Sequence, residues 1–282
     1  MKKIKYVEPS IYNKDFFLNC CLGSDEFKKS KGKKLHPKVL ELISKIKIDK
    51  NSKILDIGCG RGDITLFLAK NAIECIGTDY SKDAIDIAKC IKKNYPRKIQ
   101  KKVLFKVMNA KKISYPNSYF DIVVCIDVFE HLYKEELEIA MSEISRVLKK
   151  DGTLFARTVT NKILYDFTYK FYMYPMNKLL TWIDKKIKNT TYDSFPKEPR
   201  IPEEKIQHVN EPTYYYLKDL FRRYNFNGAI EIEIGYLKKI KNIKTVIYNF
   251  MITLYPLSKL FPLNLLFGWA FICKMKNNKP EN

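Results

Sequence analysis

"ILDIGCGRGD", residues 54–63, is an apolar run that gives way to three alternating glycines, with Asp56 ahead of them and Asp63 behind. A chain turning sharply from strand to helix uses residues without a Cβ, which also lets backbone approach a ligand closely. Gly58, Gly60 and Gly62, with Cys59 between them, therefore read as a ligand-cradling turn after the short strand KILDI (53–57). A dinucleotide turn would carry a third glycine three residues after the second, where this chain has Asp63. Asp56 would also repel a pyrophosphate, whereas it suits a cationic ligand.

Outward from this turn the chain alternates strand and helix patterns. HPKVLELISKI (36–46) has apolar residues at helical spacing ahead of the turn. IECIGTD (73–79) is a second strand, with Ser81 placed to cap the helix SKDAIDIAKCIKKNY. KVLFKVM (102–108) and FDIVVCI (120–126) follow as strands three and four. KEELEIAMSEISRVLKK (134–150) is an amphipathic helix expected to end at Asp151-Gly152, before strand five, TLFARTV (153–159). AIEIEIGYL (229–237) and WAFICKM (269–275) are the last two strands. Alternation of this kind specifies an α/β sheet that binds ligands at the carboxyl ends of its strands.

Four regions are expected: a basic N-terminal segment (1–35), a core (36–160), a Tyr- and Phe-rich lid (161–211) and a C-terminal completion of the sheet (212–282). Within the last, residues 243–268 are almost wholly apolar, with Lys244 and Lys259 their only charges. Pro256 and Pro262 divide this run into pieces shorter than the ~20 residues of a spanning helix. It is expected to lie on a bilayer interface as a peripheral contact or to line an apolar pocket.

The net charge is +21, but 45 of the 52 basic residues are Lys and only 7 are Arg. Arg is the better residue for planar phosphate recognition, so a diffuse Lys surplus reads as solvated faces and argues against nucleic acid as partner. The seven cysteines form no CxxC pair, and Cys59, Cys75 and Cys125 sit in apolar runs. They read as buried thiols of a cytoplasmic protein. MKKIKYVEPS has no apolar stretch behind its lysines and does not read as a secretory signal. No pattern assigns an oligomeric state.

Asp79 ends strand two, 19 residues past Gly60, and is placed to accept hydrogen bonds from a ribose diol. Acid, glycine turn and ribose acid together suit S-adenosylmethionine, a sulfonium without phosphate. The stretches LDIGCGRG, GTDYS, FDIVVCIDVFEHL and EISRVLKKDGTLF, in this order, closely resemble the class I S-adenosylmethionine-dependent methyltransferases. The pattern is similar to the type 11-like and ubiquinone-pathway O-methyltransferases. The resemblance runs from about 36 to 160 and more loosely from 208 onward. It implies a Rossmann-like, seven-stranded sheet with helices on both faces and an antiparallel last strand. It also implies that Asp56 and the Gly58–Gly62 loop hold the methionine end and Asp79 the ribose, with Tyr80 flanking the adenine. Asn109 and Ala110 would meet the adenine edge, although Asn109 stands where the family commonly has Asp.

"CIDVFEHL" (125–132) carries Asp127, Glu130 and His131 to the edge of that site, where Asp127 is also a candidate donor-binding residue. If a helix begins near Asp127, Glu130 (i+3) and His131 (i+4) share a face with it. With His208, 77 residues on, they make a candidate site for Mg²⁺, Mn²⁺ or Zn²⁺. This resembles the metal constellation of small-RNA 2′-O-methyltransferases and ubiquinone-pathway O-methyltransferases. The plainer reading is a helix start whose His lines the acceptor pocket without metal, and the catalytic candidates for moving the acceptor's proton are then Glu130, His131 and His208. His36, ahead of Pro37, reads as a helix-cap residue.

The expected activity is methylation of an oxygen on a small-molecule, lipid-like or sugar acceptor. A small-RNA 2′-O-methyltransferase-like enzyme is one alternative. A catalytically silent scaffold at a membrane is another, which the intact Asp56, glycine loop and Asp79 oppose.

Overall fold

The computed structural model describes residues 7–159, 161–186 and 192–280. Residues 1–6 of the expected basic segment and 187–191 of the expected lid lie outside the described residues. Seven strands form one sheet: β1 (Lys53–Ile57), β2 (Glu74–Asp79), β3 (Val103–Val107), β4 (Phe120–Ile126), β5 (Leu148–Val159), β6 (Phe226–Ile234) and β7 (Gly268–Asn277). Their order is β3-β2-β1-β4-β5-β7-β6, with β7 antiparallel to both neighbours and β1 to β5 parallel. The expected class I methyltransferase-type α/β sheet is what the chain forms.

Period-2 alternation decides which layer each strand residue joins. Ile54, Val124 and Phe155 enter one apolar layer, and their neighbours Leu55, Val123 and Leu154 the other. All six are essentially buried, each contributing roughly 1.5–3 kcal/mol of apolar transfer. Cys59, Cys75, Cys125 and Cys273 are buried free thiols.

Two boundaries differ from the sequence reading. The Lys134–Val147 helix stops three residues early, and Leu148 already begins β5. Asp151, with φ +59°, lies inside that strand, where the register against β4 shifts. Asn225, also left-handed, turns the Tyr214–Arg223 helix directly into β6, which starts at Phe226 instead of Ala229.

The described part of the expected basic N-terminal segment folds onto the core. It forms helical turns at Pro9–Ile11, Phe16–Cys20 and Ser24–Ser30, and Tyr12, Phe17 and Phe27 enter the main apolar layer. After β5, helices at Leu164–Met173, Tyr174–Lys186 and Pro202–Gln207 occupy the expected lid region. Residues 243–268 form helices at Ile243–Thr253 and Leu263–Phe267 with a single turn at Leu257–Lys259 between the prolines. Among the described residues no helix is long and apolar enough to cross a membrane.

Candidate active site at the strand ends

The glycine turn joins β1 to a helix at Asp63–Leu68. Gly58 has φ +68°, and a Cβ there would meet Val128 Cγ2 at 2.4 Å. The turn is thereby pressed against the loop that follows β4, bringing both candidate motifs to one place. Gly60 donates its N–H to Asp79 Oδ2 (3.0 Å), and Ser81 donates to Asp79 Oδ1 (2.9 Å). Burial raises the Asp79 carboxyl to about 6, the backbone donors of Ser81, Gly60 and Tyr80 pulling the other way. Asp56 is buried and accepts from Thr65 Oγ1 at 2.5 Å. Burial pushes it up to about 7, opposed by that hydroxyl. Its carboxylate therefore anchors the helix after the turn. Cys59 is buried beside it, its thiol pushed well up by burial.

Tyr80 is half-buried, edge-on to Tyr12 with ring centroids 5.6 Å apart. Asn109 is exposed, and its Oδ1 takes the N–H of Lys111 at 3.0 Å, so an adenine amino group would share that oxygen. Ala110 beside it is half-buried. His36 accepts from the Lys38 N–H at 3.2 Å and caps the Pro37–Ser44 helix, as its place ahead of Pro37 suggests.

No α-helix starts at Asp127. That residue takes a left-handed φ of +54°, and a single tight turn at Phe129–His131 follows. Asp127 consequently leaves the expected quartet. Its N–H bonds Arg157 O (2.8 Å) and its carboxylate pairs with Arg157 Nη1 at 2.6 Å. Arg157, near the end of β5, also reaches Glu233 at 3.3 Å and lies over the Trp269 ring.

Glu130, His131 and His208 do converge, each offering a ligand atom within 4.8 Å of the others. Glu130 is fully buried, accepting from Thr158 Oγ1 (2.9 Å) and the Val159 N–H (3.4 Å). Burial, then the charge of Asp127, raises it to about 8. His131 Nδ1 is 2.8 Å from the Tyr12 hydroxyl and 3.2 Å from Gln207 O. Burial, then His208, lowers it to about 3. His208 is lowered to about 4 by burial, its ring 5.0 Å from that of His131. The Nδ1 of His208 is buried without a hydrogen-bond partner.

The sequence reading passed over the cover of this site. Arg61, inside the glycine motif, donates to Phe17 O (3.3 Å) and Leu22 O (2.9 Å), holding the N-terminal turns over Gly60. A Cβ on Gly60 would touch the Phe17 ring at 3.4 Å. The available signal was the aromatic cluster in YNKDFF (12–17) amid lysines. A cavity of about 570 Å³ between the Tyr214–Arg223 helix and β6 includes none of the candidate residues in its lining.

Residues 55–156 match the family model described as "Methyltransferase domain". This core is a class I methyltransferase domain. A ubiquinone biosynthesis O-methyltransferase of Pelagibacter ubique is 32% identical to this chain over 134 residues, covering 48% of this chain and 52% of that protein. The uncharacterized methyltransferase YcgJ of Bacillus subtilis is 32% identical over 100 residues, 36% of this chain and 38% of its own. The chain thus spans about half the length, or less, of these curated relatives. In structure, YcgJ superposes with a TM-score of 0.51 at 19% identity, covering 86% of this chain and 96% of YcgJ. An S-adenosylmethionine-dependent methyltransferase of Methanosarcina mazei gives 0.53 at 20%, covering 86% and 97%. These structural likenesses show the fold, and the matched stretch 55–156 includes the glycine turn and Glu130.

Proposed function

We propose that the protein transfers the methyl group of S-adenosylmethionine to an oxygen of a small or lipid-like acceptor. The observation that carries this is the meeting of Glu130, His131 and His208 within 4.8 Å beside the glycine turn. Bound S-adenosylmethionine supplies a sulfonium methyl that leaves as its C–S bond breaks and the acceptor O–C bond forms. Asp79 would accept from the ribose diol, the Gly58–Gly62 backbone would face the methionine end and Tyr80 would flank the adenine. In-line displacement depends chiefly on positioning. The acceptor hydroxyl must still lose its proton, and that falls to the trio.

The trio's electrostatics favours ligation over plain base catalysis. Imidazoles lowered to about 3 and 4 hold a proton weakly, but a neutral imidazole with a free lone pair is what a cation needs. The unpartnered His208 Nδ1 fits that role, and a cation would draw the raised Glu130 back to its carboxylate form. A divalent ion held by Glu130, His131 and His208 would supply Lewis-acid activation of the acceptor oxygen. Thr158 and Val159 fix Glu130, and Tyr12 with Gln207 engages His131 Nδ1, leaving Nε2 for the reaction.

Calorimetry with S-adenosylmethionine, then incubation with labelled donor and fractionated metabolites, tests the reading. Donor binding with transfer to a hydroxyl is expected. Absence of donor binding overturns it.

A further inference from the structure

Two helices of the region after the core are built inside out. A helix on a globular protein normally turns apolar residues inward and polar ones outward. The Tyr174–Lys186 helix buries Asn177, Thr181 and Asp184 alongside Leu180. It exposes Leu179, Trp182 and Ile183, with Trp182 54% exposed. The Ile243–Thr253 helix, packed against it, buries Thr245, Asn249 and Thr253 with Tyr248 and Ile252. It exposes Ile243, Val246, Ile247 and Phe250.

The buried polar groups are satisfied. Asn177 donates to Asp193 O (3.0 Å) and accepts from the Phe195 N–H (2.7 Å). Asn249 accepts from the Lys238 N–H (2.9 Å) and donates to Lys238 O (2.8 Å). Asp184 accepts from the Tyr192 N–H at 3.1 Å. These bonds staple the loops at 192–195 and near 238 to the helices, and the apolar surplus goes outward. Phe171 (71% exposed), ring to ring with Phe167 on the preceding Leu164–Met173 helix, and Phe261 (66%), after the Ile243–Thr253 helix, are exposed as well.

Charge identifies the occupant. Residues 234–280 contain no Asp or Glu, and Lys239, Lys241, Lys244 and Lys259 are exposed there. Asp184, the one acid of the Tyr174–Lys186 helix, is buried, while Lys178, Lys185 and Lys186 are exposed. Lys186 Nζ sits 4.2 Å from the Trp182 ring center. An apolar face edged by lysines and an interfacial Trp suits an anionic bilayer surface. Two copies of this face would oppose their lysines, which disfavors self-association. We infer that these two helices, with Phe167, Phe171 and Phe261, dock the protein onto anionic lipid by partial insertion. The inference stands apart from methyl transfer.

The test uses the full chain with phosphatidylglycerol–phosphatidylcholine vesicles and with pure phosphatidylcholine. Flotation on the anionic vesicles is expected, weakened by salt, with a blue shift of Trp emission and quenching by acyl-chain-brominated lipid. Quenching should be largely lost in W182F. Both I247D/F250D and K241E/K244E should lower partitioning by about tenfold or more, with thermal melting and S-adenosylmethionine binding unchanged. Absence of flotation, or equal flotation of wild type and both variants, overturns the inference. Concentration-dependent dimerization in sedimentation without vesicle binding overturns it too, and assigns the face to a second copy.

Discussion

The Tyr12 hydroxyl lies 2.8 Å from His131 Nδ1, across 119 residues of chain. Tyr12 is also edge-on to Tyr80, and its carbonyl accepts from Ser81 Oγ at 2.7 Å. One N-terminal residue thus joins the proposed donor end to the proposed reacting end. Tyr12→Phe keeps the ring and removes the hydroxyl. Its turnover should fall about tenfold, the value of one hydrogen bond to a reacting group, while donor affinity stays within about threefold. Tyr12→Ala should weaken both. Calorimetry and single-turnover rates check this, and unchanged rates in Tyr12→Phe would free His131 of the contact.

Asp79 sets a pH dependence with a defined sign. Its folded carboxyl, raised to about 6, binds a proton more tightly than an unfolded Asp at 3.8. Its contribution to the stability of the donor-free protein is therefore full below 3.8 and lost as pH rises through about 6. Donor binding runs the other way, because only the carboxylate accepts from both ribose hydroxyls. Affinity should fall toward tenfold per unit below about pH 6 and be flat above. Asp79→Ala should cost about 2–3 kcal/mol of binding and abolish the slope. A slope that persists in Asp79→Ala would assign it elsewhere.

Gly58→Ala combines a left-handed φ of +68° with a Cβ 2.4 Å from Val128 Cγ2. Strain plus overpacking should destabilize the fold by about 2–4 kcal/mol. Val128→Ala alone makes a small cavity. In the double mutant the overpacking part should be recovered and the φ strain should remain. Additive losses in thermal melts would show that the two loops do not press on each other.

The parts of this fold legible in the sequence are those with strong periodicity. The strands around Leu55, Val123 and Leu154 and the capping Ser81 fall where alternation and spacing put them. Glu130 and His131 were readable as a pair, because two polar groups closing a buried strand need a purpose. Asp127 was misplaced with them because helical spacing was assumed, whereas its left-handed backbone turns it to Arg157. Arg157 itself looked like an ordinary strand residue: its partners Asp127 and Glu233 are 30 and 76 residues away in the chain. The N-terminal cover escaped notice since its short turns have no period, and only tertiary contact with Arg61 fixes them.

Arg157→Met should leave Asp127 without its partner in a mostly buried pair, the Arg side chain being 11% exposed. Removing one member of such a pair typically costs about 3–5 kcal/mol, lessened here because the Asp127 side chain is 40% exposed. A loss of about 2–3 kcal/mol in urea melts is expected, with recovery in the Arg157→Met/Asp127→Asn double mutant. A single mutant as stable as wild type would mean that the pair does not hold the turn before Glu130.

His208→Ala separates the two chemistries open to the trio. His208 makes no hydrogen bond through its buried Nδ1 and sits just after the Pro202–Gln207 helix, so its loss should disturb the fold little. If the trio holds a cation, the variant should lose bound metal by elemental analysis and lose turnover by about 100-fold or more. Donor binding should remain. Chelation of the wild type should then reproduce the variant, and Mg²⁺, Mn²⁺ or Zn²⁺ should restore the wild type alone. If instead the imidazoles act only as bases, chelators should have no effect and neither protein should carry metal, while turnover still falls in His208→Ala. Full turnover in the variant would remove His208 from either role, leaving Glu130 and His131 to line the acceptor site beside Tyr12.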